Sequence, residues 1–383
     1  MNIDDIKTIA VIGAGDMGHG IAEVALIAGY KVYLRDINQE FVDKGVGRII
    51  ASLEKLVSKE KVPAAHFDKI KKELMIPCTD LAEAVKEADL VIEAIPELMD
   101  LKRETFKAMD AAAPAHTIFA SNTSTMKITD IASATSRPEK VLGLHYFNPA
   151  VIMKLVEVIK GEKTSDEAMQ IGYDFVVKNS KVPVKVHKDV PGFIVNRVQA
   201  PSGVLLGCIL DKKIEEPEAV DAVLRNLGSP MGPYETMDYT GLDISYHGSA
   251  YFAEAIHEDF RAGETLTAKV KANELGKKTG KGLFDWSFGR PEIDLSKASD
   301  TFDPMDLVAV NANEATKIVA QGACALEDVD TAIINATGSF FGPMALIKGM
   351  EPADLTKRLE GLAEKFGKEI FKPTRMIKDG QYK

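Results

Sequence analysis

The hexad Gly13-Ala14-Gly15-Asp16-Met17-Gly18 constrains this chain more than any other stretch. An apolar run at residues 7–12 reads as a strand before it, and residues 21–28 read as a helix after it. Strand, glycine turn and helix in that order open a dinucleotide-binding βαβ unit. Gly13 permits the tight turn, Gly15 lets a pyrophosphate approach the backbone, and Gly18 lets the helix pack closely on the strand. The phosphates would sit on the helix N-terminus, where free N–H groups and the positive dipole end point at them, so Asp16 and Met17 join the glycines as candidate contacts. A second strand at residues 31–34 leads to Asp36, eighteen residues past Gly18. Its carboxylate accepts hydrogen bonds from an adenosine ribose and repels a 2′-phosphate, which favours NAD over NADP. Arg35 beside it is the one feature pulling the other way.

Residues 44–73 carry apolar side chains at helical spacing and, on the polar face, eight basic against four acidic residues. A basic helical hairpin in an acidic chain fits an anionic ligand such as a phosphorylated carrier, and a solvated face fits the same count. Sheet signals then resume, with strands at residues 89–95 and 117–121 around a helix at residues 101–109. Strands alternating with helices predict an α/β fold with a Rossmann-like, doubly wound parallel sheet, in which ligands bind at the carboxyl ends of strands. Glu97, Lys102, Ser121, Asn122 and Ser124 all follow such ends.

His145 closes the apolar run at residues 141–144, and Asn148-Pro149 stops that strand. Glu157 lies twelve residues on, between branched apolar residues that predict a neighbouring strand. A carboxylate against an imidazole makes a general base, because it fixes the ring tautomer and stabilises the imidazolium. Ser124, 21 residues before the histidine, can donate or accept a hydrogen bond at the same edge.

At 383 residues, 45% hydrophobic and 27% charged, the chain suits two or three soluble domains. A formal net charge of −10 argues against general affinity for nucleic acid or membranes. Cys78, Cys208 and Cys324 are far apart and without CxxC spacing, so neither a disulfide framework nor a metal site is expected, as suits a cytoplasmic protein. No signal-peptide core and no apolar run of bilayer length is evident.

Eight motifs in order carry a resemblance: GAGDMGHGIA, IEAIPE, FASNTS, GLHYFNP, MKLVEV, PGFIVNRV, MGPYETMDYTGLD and GKKTGKG. Together they resemble the NAD-dependent L-3-hydroxyacyl-CoA dehydrogenases over roughly residues 5–286. The resemblance implies His145 as the base for oxidation of (S)-3-hydroxyacyl-CoA, Glu157 as its partner, and Ser124 and Asn196 as polar contacts of the reacting oxygen. It also implies Asp36, Glu97, Lys102, Asn148 and Lys278 as NAD contacts, with Ser52 and Lys59 near the coenzyme A part. The expected layout is an NAD-binding domain over residues 1–187, a helical domain over 188–290, and a second, degenerate helical copy over 303–383. That copy is read from Glu327-Asp328-Val329-Asp330 and Gly342-Pro343, which repeat Glu218-Ala219-Val220-Asp221 and Gly232-Pro233 at offsets of 109 and 110. Single-copy members of the family resemble dimers joined through this helical domain, so the tandem copy is expected to take the partner's place. Two other readings are a catalytically idle NAD- or CoA-binding relative and a dehydrogenase of a free hydroxy acid.

Overall fold

A computed structural model describes residues 1–383. The chain forms two compact units, Met1–Val195 with Gln321–Gly342, and Asn196–Ala320 with Pro343–Lys383.

The first unit is built on eight strands: β1 (Thr8–Ile12), β2 (Lys31–Arg35), β3 (Met75–Cys78), β4 (Leu90–Glu93), β5 (Ile118–Ser121), β6 (Val141–Tyr146), β7 (Leu155–Ile159) and β8 (Val182–Val186). They form one sheet in the order β3-β2-β1-β4-β5-β6-β7-β8. Neighbours are parallel throughout except β6 and β7, so the last two strands run against the first six. Strands β4 to β7 are buried at every residue, as continuous apolar runs must be when helices cover both faces. Strand order reverses beside β1, the crevice where open α/β sheets hold ligands.

The helices of this unit are α1 (Gly18–Ile27), α2 (Gln39–Ser58), α3 (Ala64–Lys69), α4 (Leu81–Val85), α5 (Met99–Ala112), α6 (Ile128–Ala132) and α7 (Asp166–Lys178). The basic hairpin is α2 and α3. Asn38 caps α2 by accepting from Phe41 N–H, and α2 buries Val42, Gly45, Ile49 and Leu53 at helical spacing. Gly45 is required there, because a Cβ would come within 2.8 Å of both the Ala14 carbonyl and its methyl.

In the second unit α8 (Val195–Asp211), whose first residue ends the first unit, is followed by α9 (Pro217–Asn226), α10 (Pro233–Thr240), α11 (Leu242–Ala255) and α12 (Glu264–Lys271). Leu206, Val220 and Tyr234 form a small core, and the Tyr234 hydroxyl donates to the Leu206 carbonyl at 2.8 Å. Buried Asp221 accepts from the N–H groups of Tyr234 and Glu235 at 2.9 and 2.7 Å, capping α10 from outside its own segment. Buried Asp238 accepts from Leu283 and Phe284 N–H and from Trp286 Nε1, which fixes the loop that carries Lys278.

After residues 287–304 come α13 (Met305–Ala320), α14 (Leu326–Thr337), α15 (Pro343–Ile347), α16 (Pro352–Phe366) and α17 (Arg375–Lys378). Of these, α14 belongs to the first unit and packs on β7 and β8, where His187 N–H donates to Ala323 O and Lys154 N–H to Asn335 O.

Candidate active site

The nucleotide end is set by close backbone approach. Gly13 has a φ of +107°, and a Cβ on it would lie 2.4 Å from the Ala94 carbonyl oxygen. A Cβ on Gly18 would lie 1.8 Å from the Gly13 carbonyl oxygen, whereas nothing stands within 4 Å of that position on Gly15. The middle glycine thus leaves open the face that a pyrophosphate must approach, and α1 begins without a side-chain cap on its N–H groups. Asp36 accepts from Ala14 N–H and Ile37 N–H, both at 2.7 Å, which ties the carboxylate at the end of β2 to the glycine turn. Asp16 projects into solvent and meets Arg48 of α2 at 2.6 Å. These residues fit NAD, and the Asp36 oxygens keep further lone pairs that suit a ribose.

Across the sheet, His145 and Glu157 are register partners on β6 and β7, so their side chains leave the same face. Nδ1 of His145 lies 2.6 Å from Oε2 of Glu157. An ionised carboxylate only accepts, so Nδ1 carries the proton and Nε2 is left with its lone pair. The other carboxylate oxygen accepts from Ile194 and Val195 N–H, each at 2.9 Å. Both side chains are buried, and the rings of Phe147 and Phe193 lie 4.4 and 5.7 Å from the imidazole, centre to centre.

A third cluster joins the ends of β4 and β5. Glu93 is fully buried; it accepts from Lys102 Nζ and Ile95 N–H, each at 2.7 Å, and from Ser121 Oγ at 2.6 Å. The same ammonium reaches Glu97 at 3.1 Å. Glu97 in turn accepts from the Thr123 hydroxyl and from Ser124 N–H, the latter at 3.0 Å. Burial pushes the Glu97 carboxyl up, but the Lys102 charge and the Thr123 hydroxyl outweigh it and hold the group below its ordinary value. Lys102 is 1% exposed, so it acts on its surroundings through the two carboxylates it pairs. Asn122 accepts from Tyr146 N–H at 2.9 Å, tying the end of β5 to the end of β6.

Ser52 sits in mid-α2 and donates to Glu23 Oε1 at 2.6 Å, while Lys59 ends that helix on the surface. Asn148 is exposed and precedes a cis peptide to Pro149. Asn196 and Lys278 belong to the second unit, where Lys278 pairs with Asp243. Sequence reasoning missed Glu93, although a carboxylate at the end of an apolar strand, nine residues before a lysine on a helix, was a readable signal. It also missed the Ile194 and Val195 amides, which no side chain announces.

A glycine turn under an uncapped helix, a ribose-side carboxylate and a buried histidine–glutamate pair on one sheet define an NAD-dependent dehydrogenase. Comparison narrows the class. The descriptions "3-hydroxyacyl-CoA dehydrogenase, NAD binding domain" and "3-hydroxyacyl-CoA dehydrogenase, C-terminal domain" match residues 8–190 and 192–286. The chain is 39% identical to 3-hydroxyadipyl-CoA dehydrogenase of Escherichia coli over 79% of its own length and 64% of that longer protein. It is also 39% identical to a probable 3-hydroxybutyryl-CoA dehydrogenase of Bacillus subtilis, over 74% of this chain and 98% of that one. The crystal structure of a 3-hydroxybutyryl-CoA dehydrogenase from Escherichia coli superposes with a TM-score of 0.89 at 29% identity, covering 98% of both chains. The protein belongs to the 3-hydroxyacyl-CoA dehydrogenase family and is an NAD-dependent oxidoreductase. No helix is long and apolar enough to cross a membrane.

Proposed function

We propose that the protein reversibly oxidises (S)-3-hydroxyacyl-CoA to 3-oxoacyl-CoA in the cytoplasm, with His145 as general base and Glu157 as its partner. The observation that carries this reading is the 2.6 Å contact between Nδ1 and Oε2, which leaves Nε2 as the proton acceptor. NAD supplies the hydride acceptor. Nε2 takes the proton of the 3-hydroxyl, and Glu157 offsets the positive charge that then develops on the ring. In the reductive direction the imidazolium returns that proton. Ser124 and Asn196 hydrogen-bond the reacting oxygen, and loss of one such donor raises a barrier by about 3 kcal/mol. Gly13, Gly15, Asp16, Met17, Gly18 and Asp36 hold the dinucleotide, with Glu97, Asn148 and Lys278 as further contacts and Lys102 holding Glu97 in place for its contact. Ser52 and Lys59 meet the coenzyme A part.

The last 81 residues, 303–383, serve in this reading as a second helical copy in the place of a dimer partner. Helices α8 to α12 and α13 to α17 follow one another at offsets of 109–111 residues, and a 3-10 turn, Glu258–Phe260 or Glu369–Phe371, sits at the same place in each series. Ser202 Oγ donates to Asn311 Oδ1 at 2.7 Å, and Ile370 N–H donates to Asp259 at 3.2 Å. Each contact joins positions that correspond between the copies, as happens on the axis of a two-fold interface. Sedimentation should therefore find a monomer, or an oligomer that leaves the α8 surface within one chain. Two chains joined through α8 would contradict it.

The activity is tested by following NADH with 3-hydroxyacyl-CoA esters of graded length and with free 3-hydroxy acids. Turnover of the esters is expected, with a strong preference over the acids. Equal rates on the free acids would favour a free-acid dehydrogenase, and no turnover on any of them would favour an idle binder.

A further inference from the structure

Five residues other than glycine take positive φ: Glu60, Ser180, Phe193, Lys213 and Asn273. Four of them are exposed and follow the ends of α2, α7, α8 and α12, where left-handed backbone is the ordinary way to stop a helix. Phe193 is different. It is fully buried, it has a φ of +54°, and it precedes a helix rather than following one. A bulky side chain in this region costs about 1–2 kcal/mol of backbone strain, and such outliers persist only where surrounding structure holds them.

The consequence of the turn is local and directed. Gly192, at a φ of +75°, and Phe193 reverse the chain after Pro191, and Phe193 N–H closes the bend on Val190 O at 3.1 Å. The next two N–H groups, Ile194 and Val195, then converge on a single oxygen of Glu157. Consecutive amides of an extended segment point to opposite sides, so two neighbours can meet one acceptor only where the chain is bent. The Phe193 ring also packs 5.7 Å from the His145 ring, opposite in sequence to Phe147. One residue thus shapes the backbone donors behind the carboxylate and the wall beside the imidazole.

We infer that Phe193 is a positioning residue of the reaction: its buried ring holds a left-handed turn that aims the Ile194 and Val195 amides at Glu157. This rests on the reading of His145 and Glu157 as the base pair. With both amides in place the Glu157 carboxylate stays oriented on Nδ1 and fixes the ring that presents Nε2. Without them the carboxylate is free to rotate away from the ring.

The test is a comparison of Phe193→Gly with Phe193→Ala, since the two roles of the residue predict opposite orders. Glycine adopts the turn without strain, so the amides stay in place although the ring is lost. Alanine keeps the strain and lacks the ring that holds it. The expected result is a kcat about tenfold higher for F193G than for F193A, with KM for NAD the same in both within about twofold. A residue that merely filled space would give the reverse order, because glycine leaves the larger cavity and the looser backbone; kcat of F193A at or above that of F193G overturns the inference. If neither variant folds, replacing the Val195 amide with an ester deletes one donor and no side chain. A loss of tenfold or more in kcat supports the inference, and unchanged kcat overturns it. Wild-type turnover in His145→Gln would instead remove the base assignment, whatever Phe193 does.

Discussion

The two helical series that follow the sheet, residues 195–271 and 305–378, take the same course with different contents. In both, a glycine before the third helix lies against an aspartate of the second. A Cβ on Gly232 would come within 2.4 Å of Asp221 Oδ1, and one on Gly342 within 2.1 Å of Asp330 Oδ1. What the two share is a local device, a carboxylate packed against the glycine that precedes a helix. What they do not share is the set of residues proposed for the chemistry. The stretch leading into α13, SDTFDPMD at residues 299–306, has no asparagine in the place of Asn196. On the proposed reading, packing constrains both series and substrate only the first.

The largest effect should come from breaking the bond between the series. Arg197 Nε meets Glu314 Oε1 at 2.5 Å with both side chains buried. Glu314→Ala strands the guanidinium, and urea unfolding should show a loss of about 3–5 kcal/mol, while replacing both residues with apolar ones should restore most of it. A loss below about 1 kcal/mol would mean that the two series are not locked together here. Next in size, Asn196→Ala should lower kcat about a hundredfold, roughly 3 kcal/mol of barrier, with little change in unfolding midpoint. Alanine at Asp306, which stands 110 residues beyond Asn196 in the second series, should leave kcat unaltered; a comparable fall there would erase the contrast.

Smaller effects test what the copies share. Asp330→Ala should destabilise by about 1–2 kcal/mol, in the same direction as Asp221→Ala, when both are measured by thermal unfolding. Smallest is a pH effect in the first series. Burial pushes the Asp221 carboxyl up to about 7, with the charges of Glu235 and Asp238 adding to it. Folding then favours the protonated form, so the contribution is fully present below the unfolded value of 3.8 and is lost as pH rises through about 7. Asp221→Asn should flatten the decline of unfolding free energy between those limits by on the order of 1 kcal/mol. An equally steep decline in the variant would assign the titration elsewhere, Glu23 being a second buried acid pushed up to about 7.

Much of the site was legible because it rests on side chains at fixed places along apolar strands. A glycine turn between a strand and a helix needs no tertiary information, and His145 and Glu157 each sit among apolar neighbours that demand a strand. That the two strands are antiparallel and in register is a tertiary fact, since parallel neighbours dominate the rest of the sheet. Lys102 illustrates a different limit. Its place after a strand end makes it look like a ligand contact, and only the fold reveals Glu93 and Glu97 on either side of its ammonium. The amides of Ile194 and Val195 were invisible in principle, because every residue but proline carries the same N–H. Residues 321–342 pose the same difficulty at larger scale: their helical pattern identifies α14, but nothing in it states that the helix lies on β7 and β8.

One measurement reaches the centre of all this: a single turnover of (S)-3-hydroxybutyryl-CoA by His145→Gln with NAD already bound, followed by NADH absorbance. Glutamine keeps a polar side chain of similar reach but cannot take the proton, so NADH should form at least about a thousandfold more slowly than in the wild type, with NAD affinity unchanged. Formation at the wild-type rate would mean that the imidazole facing Glu157 is not the base.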